Sequence, residues 1–131
     1  MTDDEFLQAF MTCTLPNERF RHRDHLRLAW LLTRRLGPEE AVTAVTAGIR
    51  RFAAAHGHAA KYHETMTRFW LRLVAHLCAQ RPELDDFERF LASFPHLPDK
   101  DLPLRHWRHE TMFSPEARTG WIEPDLAPLP G

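Results

Sequence analysis

The sequence predicts an all-α protein, and three observations carry that expectation. Between prolines and glycines, long windows place apolar residues three and four apart, the spacing of a single helix face. No window alternates apolar and polar residues in the manner of a half-buried strand. Aliphatic β-branched residues are few, with valine only at positions 42, 45 and 74 and isoleucine only at 49 and 122.

The elements follow in chain order. Phe6, Leu7, Phe10 and Met11 form the stripe of a first helix over residues 3–12. A turn through Leu15, Pro16 and Asn17 precedes a second helix, which starts at Arg21 or His22 and turns Leu26, Ala29, Trp30 and Thr33 inward. Gly37 suits a left-handed cap, and Pro38, Glu39 and Glu40 suit the first turn of a third helix, at the positive end of its dipole. That helix carries Ala41, Val45, Ile49 and Phe52 and stops at Gly57. A fourth is expected over 61–80, with Tyr62, Met66, Phe69, Trp70, Leu73 and Leu77 inward and Pro82 closing it. Shorter helices are expected over 84–94 and 101–112. Ser114, Pro115 and Glu116 signal the start of a brief last helix reaching Trp121. Residues 121–131, with prolines at 124, 128 and 130, read as an extended tail. Short connections make neighbouring helices antiparallel, so the expected architecture is one single-domain antiparallel helical bundle over residues 1–131, with about five main helices.

Composition narrows the function classes. A chain of 131 residues, 44% hydrophobic and 27% charged, suits one ordinary globular core. A net charge of −1 supplies no overall basic excess for a phosphate backbone, so nucleic acid is not the expected partner. No apolar run approaches the ~18 residues of a membrane span. The acidic start, Asp3-Asp4-Glu5, is unlike a signal peptide, and Cys13 and Cys78 make neither a disulfide framework nor a zinc knuckle. A cytoplasmic setting is therefore expected. Neither a nucleotide-binding glycine loop, a His-Glu-x-x-His motif nor a Gly-x-Ser-x-Gly elbow is present.

The nine histidines are the feature that asks for chemistry. His22 and His25 stand three apart at the start of the second helix, on the row that continues through Leu26 and Ala29. His63 stands in the first turn expected for the fourth helix, on the row of Met66, Trp70 and Leu73. An antiparallel bundle brings both helix starts to one pole, and neutral imidazoles are ligands for zinc, copper, iron and nickel. The expectation is a divalent transition metal, zinc by default, held by His22, His25 and His63. Tyr62, Thr65, Thr67, Asp24 and His106 would supply a fourth ligand or a supporting shell, and Glu64 a general base for metal-bound water. Such a centre suits a hydrolase-like or metal-sensing role. Two alternatives stand beside it. One is a metal-free pocket for a small polar or anionic molecule, lined by the same residues. The other is a structural or partner-binding bundle.

Two segments, Phe20-Arg21-His22-Arg23-Asp24-His25-Leu26 and Lys61-Tyr62-His63-Glu64-Thr65-Met66-Thr67, carry a further signal. With Ser114-Pro115-Glu116-Ala117-Arg118 and Trp121-Ile122-Glu123-Pro124-Asp125-Leu126, they resemble a family of short uncharacterised bacterial proteins. Members share a Phe-x-His-x-x-His start and a Lys-Tyr-His-x-Thr-x-Thr start. The resemblance implies an all-helical fold and one common site for the two motifs, and names no reaction.

Overall fold

The computed structural model describes residues 1–130 and is all-helical, with no strand among the described residues. No helix among them is long and apolar enough to cross a membrane. Backbone contacts divide the chain into two compact units, Met1–Tyr62 and His63–Gly131.

In the first unit, α1 (Asp3–Met11) starts with a reciprocal capping box between Thr2 and Glu5. The Glu5 N–H donates to the Thr2 hydroxyl at 3.1 Å, and the Thr2 N–H donates to the Glu5 carboxylate at 2.8 Å. The helix ends where Cys13 takes a left-handed φ of 59°, letting the Thr14 and Leu15 N–H groups share the Ala9 carbonyl at 2.9 and 3.0 Å. A 3-10 turn (Asn17–Arg19) leads into α2 (His22–Leu36). Gly37 alone, at φ 87°, separates α2 from α3 (Pro38–Ala55), with Pro38 in the first turn as its sequence position indicates. Asp3 and Asp4 of α1 pair with Arg27 and Arg35 of α2, each at 2.8 Å. Phe6, Phe10, Leu26, Ala41, Val45 and Phe52 form the core of this unit.

Gly48 sets how closely α1 approaches α3. A β-carbon there would stand 2.6 Å from Phe10 Cε2 and 2.8 Å from Cζ, and Phe10 is wholly buried. Mid-helix glycine costs helix propensity, and here close packing offsets that cost.

In the second unit, α4 (Glu64–Gln80) is followed by α5 (Phe87–Ser93), a 3-10 turn (Leu102–Arg105), α6 (His109–Met112) and α7 (Pro115–Thr119). Residues 121–130 run without helix, as expected for the tail. Trp107 is the centre of the core here. It has no exposed surface, and it meets Phe69 at 5.6 Å and Trp121 at 5.7 Å, edge to face in both cases.

Three element boundaries differ from the sequence expectation. The fourth helix starts at Glu64, because His63 stands outside it as the capping residue and 59–61 form a separate 3-10 turn. The 84–94 helix is shorter, starting after Asp86, whose carboxylate caps it by accepting the Arg89 N–H at 3.0 Å. The 101–112 helix is divided. Arg108 is extended, and its N–H goes to the Asp125 carboxylate at 2.8 Å in place of a helical carbonyl. A tertiary bond thus overrides local helical preference.

Gly48→Ala tests the packing of α1 on α3. Helix propensity alone favours alanine by about 1 kcal/mol. Overpacking against Phe10 reverses the sign, and urea denaturation is expected to show a net loss of about 1 to 3 kcal/mol.

Candidate functional site

The start of α2 gathers the first motif. Arg21 is extended, and its N–H donates to the Asp24 carboxylate at 2.9 Å, so Asp24 serves as an acceptor within the first turn. Phe20 lays its ring on His25, centroids 4.0 Å apart and planes within 21°. The same ring packs on Phe10 at 5.3 Å and on Phe52 at 4.8 Å, and Phe52 carries His56 on its own ring at 4.3 Å. His25 is therefore part of an aromatic stack, with its imidazole hydrogen-bonded to the Phe20 carbonyl. Desolvation, aided by neighbouring His22, pushes its pKa down to about 4, against the opposing pull of Asp24 and the Phe20 carbonyl. The ring is neutral in the fold. His56 Nε2 is buried without a hydrogen-bond partner. His22 is half-buried, and Tyr62 lies beneath the Arg50 guanidinium at 4.9 Å.

The second motif has a different use. His63 caps α4: its Nδ1 accepts the Met66 N–H at 3.0 Å. That leaves the proton on Nε2, which donates to the Met112 carbonyl at 2.6 Å. Both ring nitrogens are thus committed, and no lone pair remains for a metal. Burial holds this imidazole below the usual histidine range, Arg118 adds to the effect, and the Met112 carbonyl opposes it. The wholly buried Thr65 donates its hydroxyl to the Gly120 carbonyl at 2.6 Å and accepts the Ile122 N–H at 3.2 Å. Thr67 bonds back to the His63 carbonyl at 2.7 Å. Glu64 is buried, and Arg68 holds its carboxylate at 2.6 Å one turn on, so it stands as half of an ion pair where a general base was expected. His106 donates through Nδ1 to the Ala127 carbonyl at 3.1 Å.

His22, His25 and His63 were expected to form one ligand set. Among the described residues, no group of three or more histidine, cysteine, aspartate or glutamate side chains is placed to hold a metal ion. His63 spends one ring nitrogen on a cap and the other on a buried carbonyl. Tyr62, Thr65, Thr67 and His106, expected as supporting residues, pack or bond to backbone instead.

A recess of about 360 Å³ opens beside the first motif, lined by Phe6, Glu18, Arg19, Arg21, Asp24 and Arg27 together with Met1 and Leu15. Most of its charge is already used. Arg27 pairs with Asp3 at 2.8 Å, reaches the Met1 carbonyl at 3.2 Å and lies over the Phe6 ring at 4.6 Å. Asp24 is engaged by the Arg21 N–H. Arg21 spends its Nε on the Glu18 carbonyl at 2.9 Å and keeps its terminal nitrogens. Arg19 is exposed, with no side-chain partner among the described residues. The recess therefore presents two exposed guanidinium groups with donors to spare, Arg19 and Arg21, beside the carboxylates of Glu18 and Asp24.

Sequence reasoning passed over these arginines. The available signal was local: Arg19, Arg21, Arg23 and Arg27 cluster around His22 and His25 in a chain whose net charge is only −1. Of the site residues expected from sequence, Asp24 alone lines this recess. No family model, curated protein or solved structure matches the chain.

The two buried imidazoles make separate predictions. Because His25 is held at about pKa 4 in the fold, against about 6.5 when unfolded, the unfolded chain binds the extra proton between those values. Its contribution is complete above pH ~6.5 and is lost as pH falls toward ~4, by on the order of 3 kcal/mol. Urea midpoints measured from pH 7 to 4 are expected to fall more steeply for the parent than for His25→Gln; parallel profiles would count against a neutral buried ring. His63→Ala removes a cap and strands the Met112 carbonyl, an expected loss of roughly 2 to 4 kcal/mol by urea denaturation. His63→Asn keeps a capping acceptor and is expected to lose less.

Proposed function

We propose that this chain is a binding protein for a small anionic molecule, taken without a metal in the recess at the start of α2. One observation carries the reading: Arg19 and Arg21 retain free guanidinium donors there, while Arg27 and Asp24 are already committed. Uncommitted guanidinium forks match carboxylate and phosphate oxygens in pairs. A volume of about 360 Å³ lies within the range of small-molecule sites. Phe6 and Leu15 are buried core residues on the wall of the recess, so a ligand meets a firm apolar surface beside the two cations.

The His22 and His25 motif has a supporting part in this reading. Phe20 ends the 3-10 turn that presents Glu18 and Arg19, and its stack with His25 fixes that turn to the helix start. His25 acts on the recess only through the Phe20 turn, and recognition is left to the arginines. His63, bonded to backbone through both ring nitrogens, takes no part in this reading.

The test is anion binding by the full chain. Sulfate and phosphomonoesters, titrated at low ionic strength with thermal unfolding and calorimetry as readouts, are expected to stabilise the parent and weaken as salt rises. Arg19→Gln with Arg21→Gln is expected to weaken binding about tenfold or more while leaving unfolding without anion nearly unchanged, because both side chains are exposed. Anions that do not shift unfolding at about 10 mM, or that bind the double variant equally, refute the proposal.

A further inference from the structure

The second unit contains a recess of about 450 Å³ between Arg72 of α4 and the extended tail, lined by Pro124, Leu126, Ala127, Pro128 and Leu129 along with Asp125. Its walls are mostly apolar, and Leu126 is 53% exposed. The tail that forms one wall is held firmly. The Trp107 indole N–H donates to the Ile122 carbonyl at 2.9 Å, the Leu126 N–H donates to the His106 carbonyl at 2.9 Å, and His106 holds the Ala127 carbonyl.

Among the described residues, Arg72 is the one cation of this lining and has no counter-ion. Its guanidinium lies over the Trp121 ring at 5.1 Å, and Trp121 rests edge to face on the buried Trp107. Stacking of this kind fixes the plane of the guanidinium and leaves its edge donors open. Asp125, the carboxylate in the lining, is taken: Oδ1 accepts the Arg108 N–H and Oδ2 accepts the Thr111 hydroxyl. Those bonds hold its carboxyl below the usual range, the Thr111 hydroxyl first and the Arg108 N–H next. Glu123, one residue before the recess, accepts the Trp121 indole N–H at 3.0 Å. Arg72 makes no hydrogen bond or ion pair among the described residues.

From this geometry we infer a second binding site, for a small amphipathic monocarboxylate: a single anionic headgroup on the edge of Arg72 and an apolar body along Leu126, Pro128 and Leu129. An isolated cation on an aromatic shelf above an apolar wall selects for one negative charge joined to a hydrocarbon group, and a multiply charged polar anion leaves that wall unused. The site shares no residue with the recess at the start of α2 and does not depend on it.

Octanoate is the probe, with octanol and acetate as its two halves. Calorimetry on the full chain at neutral pH is expected to show saturable octanoate binding below about 1 mM, with octanol and acetate each at least about tenfold weaker. Arg72→Gln keeps the length and polarity of the side chain and is expected to weaken octanoate about tenfold while leaving octanol unchanged. Because Arg72 is exposed, this variant is expected to keep its fold, checked by an unchanged unfolding midpoint. Arg19→Gln with Arg21→Gln is expected to bind octanoate as the parent does. The inference fails if octanoate does not bind at about 5 mM, if octanol matches it, if Arg72→Gln binds it equally, or if loss of Arg19 and Arg21 abolishes it.

Discussion

The second unit depends on a single constraint: buried backbone groups that no helix or strand serves must be paired by side chains. Beyond α5 this half of the chain has only short helices and an extended tail, which leaves many carbonyls and N–H groups without regular partners. The start of α4 supplies several. His63 takes the Met112 carbonyl, and Thr65 takes the Gly120 carbonyl and the Ile122 N–H. An unpaired polar group in such a place costs about 1 to 3 kcal/mol, so each of these contacts decides more than its own net strength suggests. His63 also shows why one histidine can cap and clamp together: its two nitrogens act as acceptor and donor on opposite edges of the ring.

A similar economy governs the first unit by other means. Its helices are long, and their backbones are satisfied internally, so the polar side chains at the start of α2 have other uses. Asp24 closes the first turn, Arg27 ties α1 to α2, and His25 joins Phe10, Phe20 and Phe52 in a ring stack. What remains after these internal commitments is the pair Arg19 and Arg21, and that remainder is the basis for the proposed recognition. The recess by the tail follows the same logic. Asp125 is spent on Thr111 and Arg108, and Arg72 is left over an indole. In both places the functional reading rests on which charges the fold has left unused.

The fold class and most helix boundaries were legible in the sequence, because capping and periodicity are local. Pro38 in a first turn, Gly37 at a left-handed φ and Ser114 capping by accepting the Ala117 N–H at 3.2 Å all sit where their residue types predict. The division of the 101–112 segment was not legible, since it follows from an Arg108 N–H bonded to Asp125, seventeen residues on. The motif histidines were found from sequence and their surroundings were not. Spacing puts His63 at a helix start, while its hydrogen-bond partner Met112 lies 49 residues away.

Sequence alone therefore determined that the chain is helical and where most of its helices start, and it singled out His22, His25, His63 and Thr65. Only the tertiary structure decided what those residues do, because the state of an imidazole is set by what lies at its two nitrogens, and both neighbours can come from anywhere in the chain. It also decided which arginines matter. Arginines look alike in a sequence, and they differ only once each guanidinium has, or lacks, a partner in space.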